Sequence, residues 1–205
     1  MTTKMTRCER KRGCISSAGS EGRLGQKQKT SDEGIDTTMD VLIRNVRVED
    51  APEIVRIFNP IIAAGSYTVV DTLLTAEEER AYIEALPHRA IFHVAERRSD
   101  HALVGFQSLE PFPDAYTHAF DHVGVIGTWV DLGCHRQGVA KHLFSATFEA
   151  APKKGYEKLF TYIRADNPAA LATYESQDFR TIGRAVRQAK LKGRYIDEII
   201  VERML

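Results

Sequence analysis

The chain has 205 residues, of which 28 are basic and 28 acidic, so its formal net charge at neutral pH is zero. This length suits one domain with a full hydrophobic core, and the balanced charge argues against nucleic acid or an acidic membrane surface as the main partner. Because no apolar run approaches the roughly 18 residues that cross a bilayer, and the amino terminus lacks a signal-peptide stretch, we expect a cytoplasmic protein that acts without a membrane.

Residues 1–38 differ in composition from the rest of the chain. Between Lys4 and Lys29 there are eight basic residues and two acidic ones, and large apolar side chains are scarce. Such a segment cannot bury enough apolar surface to offset the entropy lost on ordering. It also lacks the interleaved aromatic residues that favour nucleic-acid binding. We predict a disordered basic extension over residues 1–38 and a single domain over residues 39–205.

From residue 41 onward the hydrophobic pattern predicts alternating strands and helices. Strict alternation of apolar residues indicates strands, recurrence every three or four positions indicates helices, and Thr75 with Glu78 forms a capping box that marks a helix start. The predicted strands cover residues 41–48, 91–96, 102–109, 123–130, 159–164, 181–190 and 195–204. The predicted helices begin after Asp50, run from the Thr75 cap to Leu86, and cover residues 140–151 and 168–177. The pattern alone indicates a mixed α/β domain.

The turn before the predicted helix 140–151 is a candidate anion site. A strand, a glycine-bearing turn and a helix start gather free backbone N–H groups at one point, where the helix dipole also favours an anion. Gly138 permits a positive φ angle, and Arg136 adds a positive charge. The Walker and dinucleotide-binding glycine patterns are both missing, and an ordinary turn between strand and helix is the alternative. The candidate residues are His135, Arg136, Gln137, Gly138, Val139 and Ala140.

A second segment follows the next predicted strand and reaches Phe179. Its characteristic residues are Asn167, Ala170, Tyr174, Glu175 and Phe179, with Gln177 and Asp178 before the phenylalanine. The two segments together resemble the GCN5-related N-acetyltransferases. The pyrophosphate turn of that family reads Gln/Arg-x-x-Gly-x-Gly/Ala, where this chain has His135 in the first place. Its later pattern has Asn, then Ala three residues on, then Tyr-Glu, and ends in Leu-Gly-Phe, where this chain has Gln-Asp-Phe.

The resemblance implies a mixed, mostly antiparallel central sheet flanked by helices, with the fourth and fifth strands splayed apart at the cofactor. It implies acetyl-CoA as the acyl donor, with its pyrophosphate on the amides of residues 136–140. The pantetheine arm would pair with the backbone of Thr128, Trp129 and Val130, and the N–H of Trp129 or Val130 would polarise the thioester carbonyl. No metal is required, and the three cysteines show no zinc-ligand spacing.

Tyr174 matches the family tyrosine that protonates the departing thiolate. A buried tyrosine keeps its proton at neutral pH and can protonate a thiolate whose thiol has a pKa of about 8.5. The alternative is a helix tyrosine that only packs on the sheet. Asn167 would bind the pantetheine or the backbone near it, and it would also serve as a helix cap before Pro168.

The general base is the open part of this prediction. In the phosphinothricin acetyltransferase branch of the family a glutamate lies on strand four, and the corresponding residue here is Val125, which cannot accept a proton. Asp121, His122 and Glu110 are the nearby alternatives, and a histidine has the most suitable intrinsic pKa. We therefore take His122 as the candidate base, with a water chain, or a solvated loop position for His122, as alternatives.

The resemblance to the phosphinothricin acetyltransferase branch extends over nearly all of residues 41–205. It includes Arg44 with Asp50 and the ending Gly193–Asp197. It implies acetyl transfer to the primary amine of a small molecule, such as an amino acid or an analogue of the phosphinothricin or methionine sulfoximine type. A protein amine as acceptor and a non-catalytic acyl-CoA-binding module are the alternatives. Related enzymes are often dimers, which leaves a homodimer open for this chain.

Overall fold

The computed structural model describes residues 38–113 and 117–205. Apart from Thr38, the predicted basic extension over residues 1–38 lies outside the described residues. Within the described ranges, no helix is long and apolar enough to cross a membrane.

In the described part of the chain, seven strands form one sheet with the order β1-β2-β3-β4-β5-β7-β6. The strands are β1 Val41–Asn45, β2 Ile91–Arg97, β3 Leu103–Pro111, β4 Val123–Val130, β5 Lys158–Arg164, β6 Arg180–Leu191 and β7 Arg194–Met204. The pairing of β4 with β5 is parallel, and the other neighbouring pairs are antiparallel. This mixed, mostly antiparallel sheet confirms the predicted fold class.

Four α-helices cover the two faces of the sheet in the described residues. They are α1 Ala51–Ala64, α2 Ala76–Glu84, α3 Val139–Ala150 and α4 Pro168–Glu175. Because side chains alternate between the faces of a strand, Phe92 and Phe106 pack with α1 and α2, whereas Leu109 and Ile126 pack with α3 and α4. The two faces of the sheet therefore contribute to different hydrophobic clusters, and a residue's position along a strand decides which face it joins.

A group of ion pairs centred on Arg44 lies between the end of β1 and the start of α1. The strand ends at Asn45 rather than at Val48, because residues 48–50 form a 3₁₀ turn. Arg44 donates to both carboxylate oxygens of Asp50, at 2.7 and 2.8 Å, and to Glu96 at 2.8 Å. Burial opposes the ionisation of Asp50, but hydrogen bonds from Arg44 and the Arg47 amide outweigh it and lower the pKa of this carboxyl. The Arg44–Asp50 pair therefore joins the first strand to the first helix.

A gap opens between β4 and β5, as the family resemblance implies. The two strands pair only where residues 123–125 lie beside residues 158–160. After Val125 they diverge, so the remaining edge of β4 has no strand beside it on the β5 side. The candidate anion site, residues 135–140, and helix α3 follow the open end of β4.

Candidate active site at the gap between β4 and β5

The open edge of β4 presents backbone groups to the gap. At one end of the β3–β4 pair the Val123 carbonyl accepts from the Phe112 N–H, just beyond β3, and at the other end the Asp131 N–H, just beyond β4, donates to the Val104 carbonyl. Antiparallel pairs alternate between bonded and non-bonded positions, so the Trp129 N–H also faces β3. The N–H and C=O groups of Thr128 and Val130 point the opposite way, into the gap. An extended ligand in the gap can therefore pair with these two residues as an added strand would.

Tyr174 of α4 lies beside Thr128 of β4, on the α3 and α4 face of the sheet. Its hydroxyl donates to Thr128 Oγ1 at 3.2 Å. The ring is 7% exposed and packs edge-on against Phe144 and Phe179, with centroid distances of 5.0 Å. Burial raises the pKa of the phenol to about 12, although the hydrogen bond with Thr128 opposes this shift. The phenol therefore stays protonated over the working range of an enzyme.

Gln107 supports this pair from the neighbouring strand. It lies opposite Thr128 in the register of β3 and β4, and its Nε2 donates to Thr128 Oγ1 at 2.7 Å. The side chain is fully buried, and its Oε1 has no hydrogen-bond partner in the described residues. The Thr128 hydroxyl oxygen thus accepts two hydrogen bonds, which fixes the position of the Tyr174 hydroxyl beside the gap.

The turn after β4 has the geometry of an anion-binding helix start. Gly138 adopts a φ angle of +78° and Arg136 one of +59°, so two residues of the turn are left-handed. Helix α3 begins at Val139, directly after Gly138. The first amides of a helix lack partners within it, and the dipole makes this end positive. The predicted residues 135–140 therefore surround one helix N-terminus at the open end of β4.

His135 and the segment between α1 and α2 enclose the gap. His135 Nε2 donates to the Val130 carbonyl oxygen at 3.2 Å, and its ring lies 5.9 Å from that of Tyr67. Across the gap, Asn167 Oδ1 accepts from the Ala170 N–H at 3.1 Å, which caps α4. Asn167 Nδ2 also donates to the Tyr67 carbonyl at 3.5 Å. Segment 65–68 thus contacts both sides of the gap.

Trp129 lies on the other face of the sheet from Tyr174. Its indole stacks on Phe106 with a centroid distance of 5.0 Å and meets Phe58 edge-on at 5.2 Å. The ring also covers Gly127, where an added Cβ would lie 2.2 Å from Trp129 Cη2. The Trp129 indole therefore packs in the core on the α1 and α2 face and takes no part in the predicted backbone contacts.

Replacing Gly127 by alanine is expected to displace the Trp129 indole and to destabilise the protein by about 1–3 kcal/mol, the usual cost of overpacking. Because Trp129 is the only tryptophan in the chain, its fluorescence emission should shift in the same variant. Denaturant unfolding measures the loss of stability. Gly183→Ala is the matched control, since an added Cβ there makes only an ordinary contact at 3.6 Å; equal effects of the two substitutions would contradict this account.

The structure separates His122, the candidate base, from the other predicted site residues. His122 is exposed and precedes β4, where its carbonyl accepts from the Glu157 and Lys158 amides. At about 3.3 Å per strand residue, it lies about 20 Å along the strand from Thr128. Tyr174, Thr128, Val130 and the 135–140 turn are brought together; His122 lies at the closed end of the gap.

A buried carboxyl group that sequence reasoning missed lies on α2. Glu79 is 5% exposed, and its carboxyl group forms no hydrogen bond or ion pair with another residue of 38–113 or 117–205. Burial raises its pKa to about 7. The signal in the sequence is its spacing from the core residue Ile83, because residues four apart share a helix face.

Glu79→Gln is expected to stabilise the protein at pH 8 and to have little effect near pH 4.5. The folded state holds a proton on Glu79 up to about pH 7, whereas the unfolded chain releases it near 4.5. The favourable contribution is therefore present below pH 4.5 and is lost as the pH rises to 7, by at most about 3 kcal/mol. Urea unfolding at several pH values measures this difference. The exposed Glu84→Gln should show no such pH dependence, and a parallel pH profile for both variants would refute the assignment.

The described residues contain no group of three histidine, cysteine, aspartate or glutamate side chains that could hold a metal ion.

The comparisons with known proteins agree with this geometry. The family model described as "Acetyltransferase (GNAT) family" matches residues 61–179, which is more than half of the chain. A search among curated proteins gives no match.

Solved structures share the fold over most of their own length. A ribosomal-protein-alanine N-acetyltransferase from Brucella melitensis has 25% identity and a TM-score of 0.72, over 80% of this chain and 99% of that one. An N-acetyltransferase from Staphylococcus aureus Mu50 has 22% identity and a TM-score of 0.74, over 80% and 98%. A GNAT superfamily phosphinothricin acetyltransferase from Sinorhizobium meliloti, in complex with acetyl-CoA, has 18% identity and a TM-score of 0.74, over 82% and 89%.

Proposed function

Because the chain belongs to the acetyltransferase (GNAT) family, we propose that it transfers the acetyl group of acetyl-CoA to the primary amine of a small molecule. An amino acid or an analogue of the phosphinothricin or methionine sulfoximine type is the proposed acceptor. The observation that carries the proposal is the Tyr174 hydroxyl, held at Thr128 beside the open edge of β4, with the 135–140 turn at the end of the same strand.

Backbone groups of β4 and of the 135–140 turn would bind acetyl-CoA, the proposed acyl donor. The amides of residues 136–140 would hold the pyrophosphate at the N-terminus of α3. The backbone groups of Thr128 and the N–H of Val130 would pair with the pantetheine arm, beside the Val130 carbonyl that contacts His135. The Val130 N–H faces the gap and would donate to the thioester carbonyl oxygen as negative charge develops there. Since the Trp129 N–H faces β3, Val130 is the better donor of the two predicted residues.

Tyr174 would act as the general acid. The amine nitrogen attacks the thioester carbonyl carbon, a C–N bond forms and the C–S bond breaks. The departing thiolate takes the phenol proton of Tyr174, and the phenolate recovers a proton released from nitrogen. The raised pKa of Tyr174 keeps the phenol protonated until the thiolate forms. Asn167 would hold the start of α4, and therefore Tyr174, against the gap.

A protein amine is the second candidate acceptor. The structural relative from Brucella melitensis is described as a ribosomal-protein-alanine N-acetyltransferase, which acts on a protein rather than on a free amino acid. The small-molecule proposal is supported instead by the phosphinothricin acetyltransferase from Sinorhizobium meliloti and by the sequence resemblance to that branch.

A panel of acceptors tests the proposed function. The full chain is incubated with acetyl-CoA and either amino acids and their analogues, peptides with free amino termini, or no acceptor. Thiol release and the mass of each product are then measured. Thiol release that depends on a small amine, with a product heavier by one acetyl group, is the expected result. Release only with peptides would favour the protein amine, and acetyl-CoA binding without release would favour a binding module.

A further inference from the structure

The register of β3 and β4 places a carboxylate beside the valine at the proposed base position. Glu110 lies directly opposite Val125, and Ser108 lies opposite Gly127. Directly opposite residues project from the same face of a sheet, with Cβ atoms about 5 Å apart. Glu110 therefore occupies the α1 and α2 face next to Val125, the last residue before β4 and β5 diverge.

Tyr82 of α2 holds one oxygen of this carboxylate. Its hydroxyl donates to Glu110 Oε1. Burial and the hydrogen bond with Glu110 raise the pKa of Tyr82, so the phenol remains a donor. Glu110 Oε2 has no hydrogen-bond partner within the described ranges. The second oxygen is thus available to a ligand.

The surroundings of Glu110 favour a cation. Glu79 lies on the same helix as Tyr82, is 5% exposed, and is close enough to influence Tyr82. No described lysine or arginine forms an ion pair with Glu79 or Glu110. The Trp129 indole lies over the neighbouring Gly127, and an aromatic face attracts a cation. Glu110, which has no ion pair among the described residues, therefore shares this face of the sheet with the Trp129 indole.

We propose that Glu110, positioned by Tyr82, binds the ammonium group of the acceptor and accepts its proton, in the place that Val125 leaves without a carboxylate. This inference rests on the proposed acetyl transfer. It places the base on the α1 and α2 face of β4 and the acid, Tyr174, on the opposite face, with the open edge of the strand between them.

The proton balance requires both groups. An ammonium nitrogen loses two protons as it becomes an amide. Glu110 takes the first, which frees the lone pair that attacks the thioester carbon. Nitrogen loses the second after the C–N bond forms, and Tyr174 supplies one proton to the thiolate as the C–S bond breaks. One proton passes to the thiol in the net reaction and the other passes to solvent.

Glu110→Gln tests the inference through the pH dependence of kcat/KM for the amine. The amide keeps an acceptor for Tyr82 but removes the proton acceptor. At pH 7 we expect a loss of about 10²-fold or more, the usual range for a positioned base. Activity should recover about tenfold per pH unit as the free amine becomes abundant. Acetyl-CoA affinity, followed by Trp129 fluorescence, should stay within about twofold.

Three further variants keep the test decisive. Glu110→Asp should retain part of the activity and the wild-type pH profile, so it remains informative if the amide variant folds poorly. The exposed Glu84→Gln of α2 is the matched carboxylate control and should match the wild type. A pH profile of kcat/KM for Glu110→Gln that runs parallel to the wild-type profile would overturn the inference. It would also be overturned if His122→Gln, rather than Glu110→Gln, lost activity at pH 7 and regained it at alkaline pH. Absence of amine-dependent thiol release in the wild type would overturn the proposed function itself, which separates the two failures.

Discussion

Tyr174→Phe is expected to lower kcat by about 10² to 10⁴-fold, the range found when a general acid is removed, and to leave acetyl-CoA affinity nearly unchanged. The substitution deletes the one hydroxyl that donates to Thr128 beside the gap, but the ring keeps its contacts with Phe144 and Phe179. Steady-state thiol release measures kcat, and a fluorescence titration measures affinity. Because the phenol pKa is raised to about 12, the wild type should lose no activity through this group below about pH 10.

Tyr156→Phe is the matched control for this experiment. Tyr156 belongs to the same core, is 1% exposed, and burial raises the pKa of its phenol to about 12 as well. Its hydroxyl, however, donates to the Arg89 carbonyl at 3.2 Å, away from Thr128. We expect some loss of stability in this variant and no change in kcat. Equal kcat values for Tyr174→Phe and the wild type would refute the acid assignment.

Gly138→Ala is expected to weaken acetyl-CoA binding by about 10- to 100-fold. A non-glycine residue at φ +78° costs about 1–2 kcal/mol, and an added Cβ would lie 2.8 Å from Thr38 Cγ2. The turn must shift, which moves the first amides of α3. Each hydrogen bond lost to a charged phosphate is worth about 1.5–3 kcal/mol, and 1.4 kcal/mol is tenfold in affinity. Calorimetric titration with acetyl-CoA measures the change.

Gly155→Ala separates backbone strain from ligand binding. Gly155 has a φ angle of +81°, and an added Cβ there makes only an ordinary contact with Arg89. It lies before β5, away from the turn that starts α3. This variant should lose similar stability and keep its affinity for acetyl-CoA. If it weakens binding as much as Gly138→Ala, the effect comes from general destabilisation and the phosphate site is wrongly placed.

Periodic patterns located the elements well because each pattern is local. Strand β4 occupies residues 123–130 as predicted, and α3 begins at Val139, one residue before the predicted start. The Thr75 capping box is present, since the Glu78 N–H donates to Thr75 Oγ1 and the Glu78 carboxylate accepts from the Thr75 N–H. Strand order depends on distant pairings, so only the family resemblance could predict it.

Long-range pairing explains what the patterns missed. Glu79 stands within a charged run, and its burial follows from the packing of α2 on the sheet rather than from its neighbours in sequence. Gln107 and Thr128 meet only through the register of β3 and β4, as do Glu110 and Val125. Proximity in sequence made His122 a natural candidate base, yet a strand separates residues quickly in space. The carboxylate of the adjacent strand lies nearer to the gap.

A crystal structure of the full chain with acetyl-CoA tests the central claim most directly, through the distance from the thioester sulfur to the Tyr174 hydroxyl oxygen. The account predicts a separation of about 3–4 Å, within hydrogen-bond reach of sulfur. It also predicts the pyrophosphate on the amides of residues 136–140. A sulfur beyond the reach of Tyr174, or a pyrophosphate away from the start of α3, would contradict it.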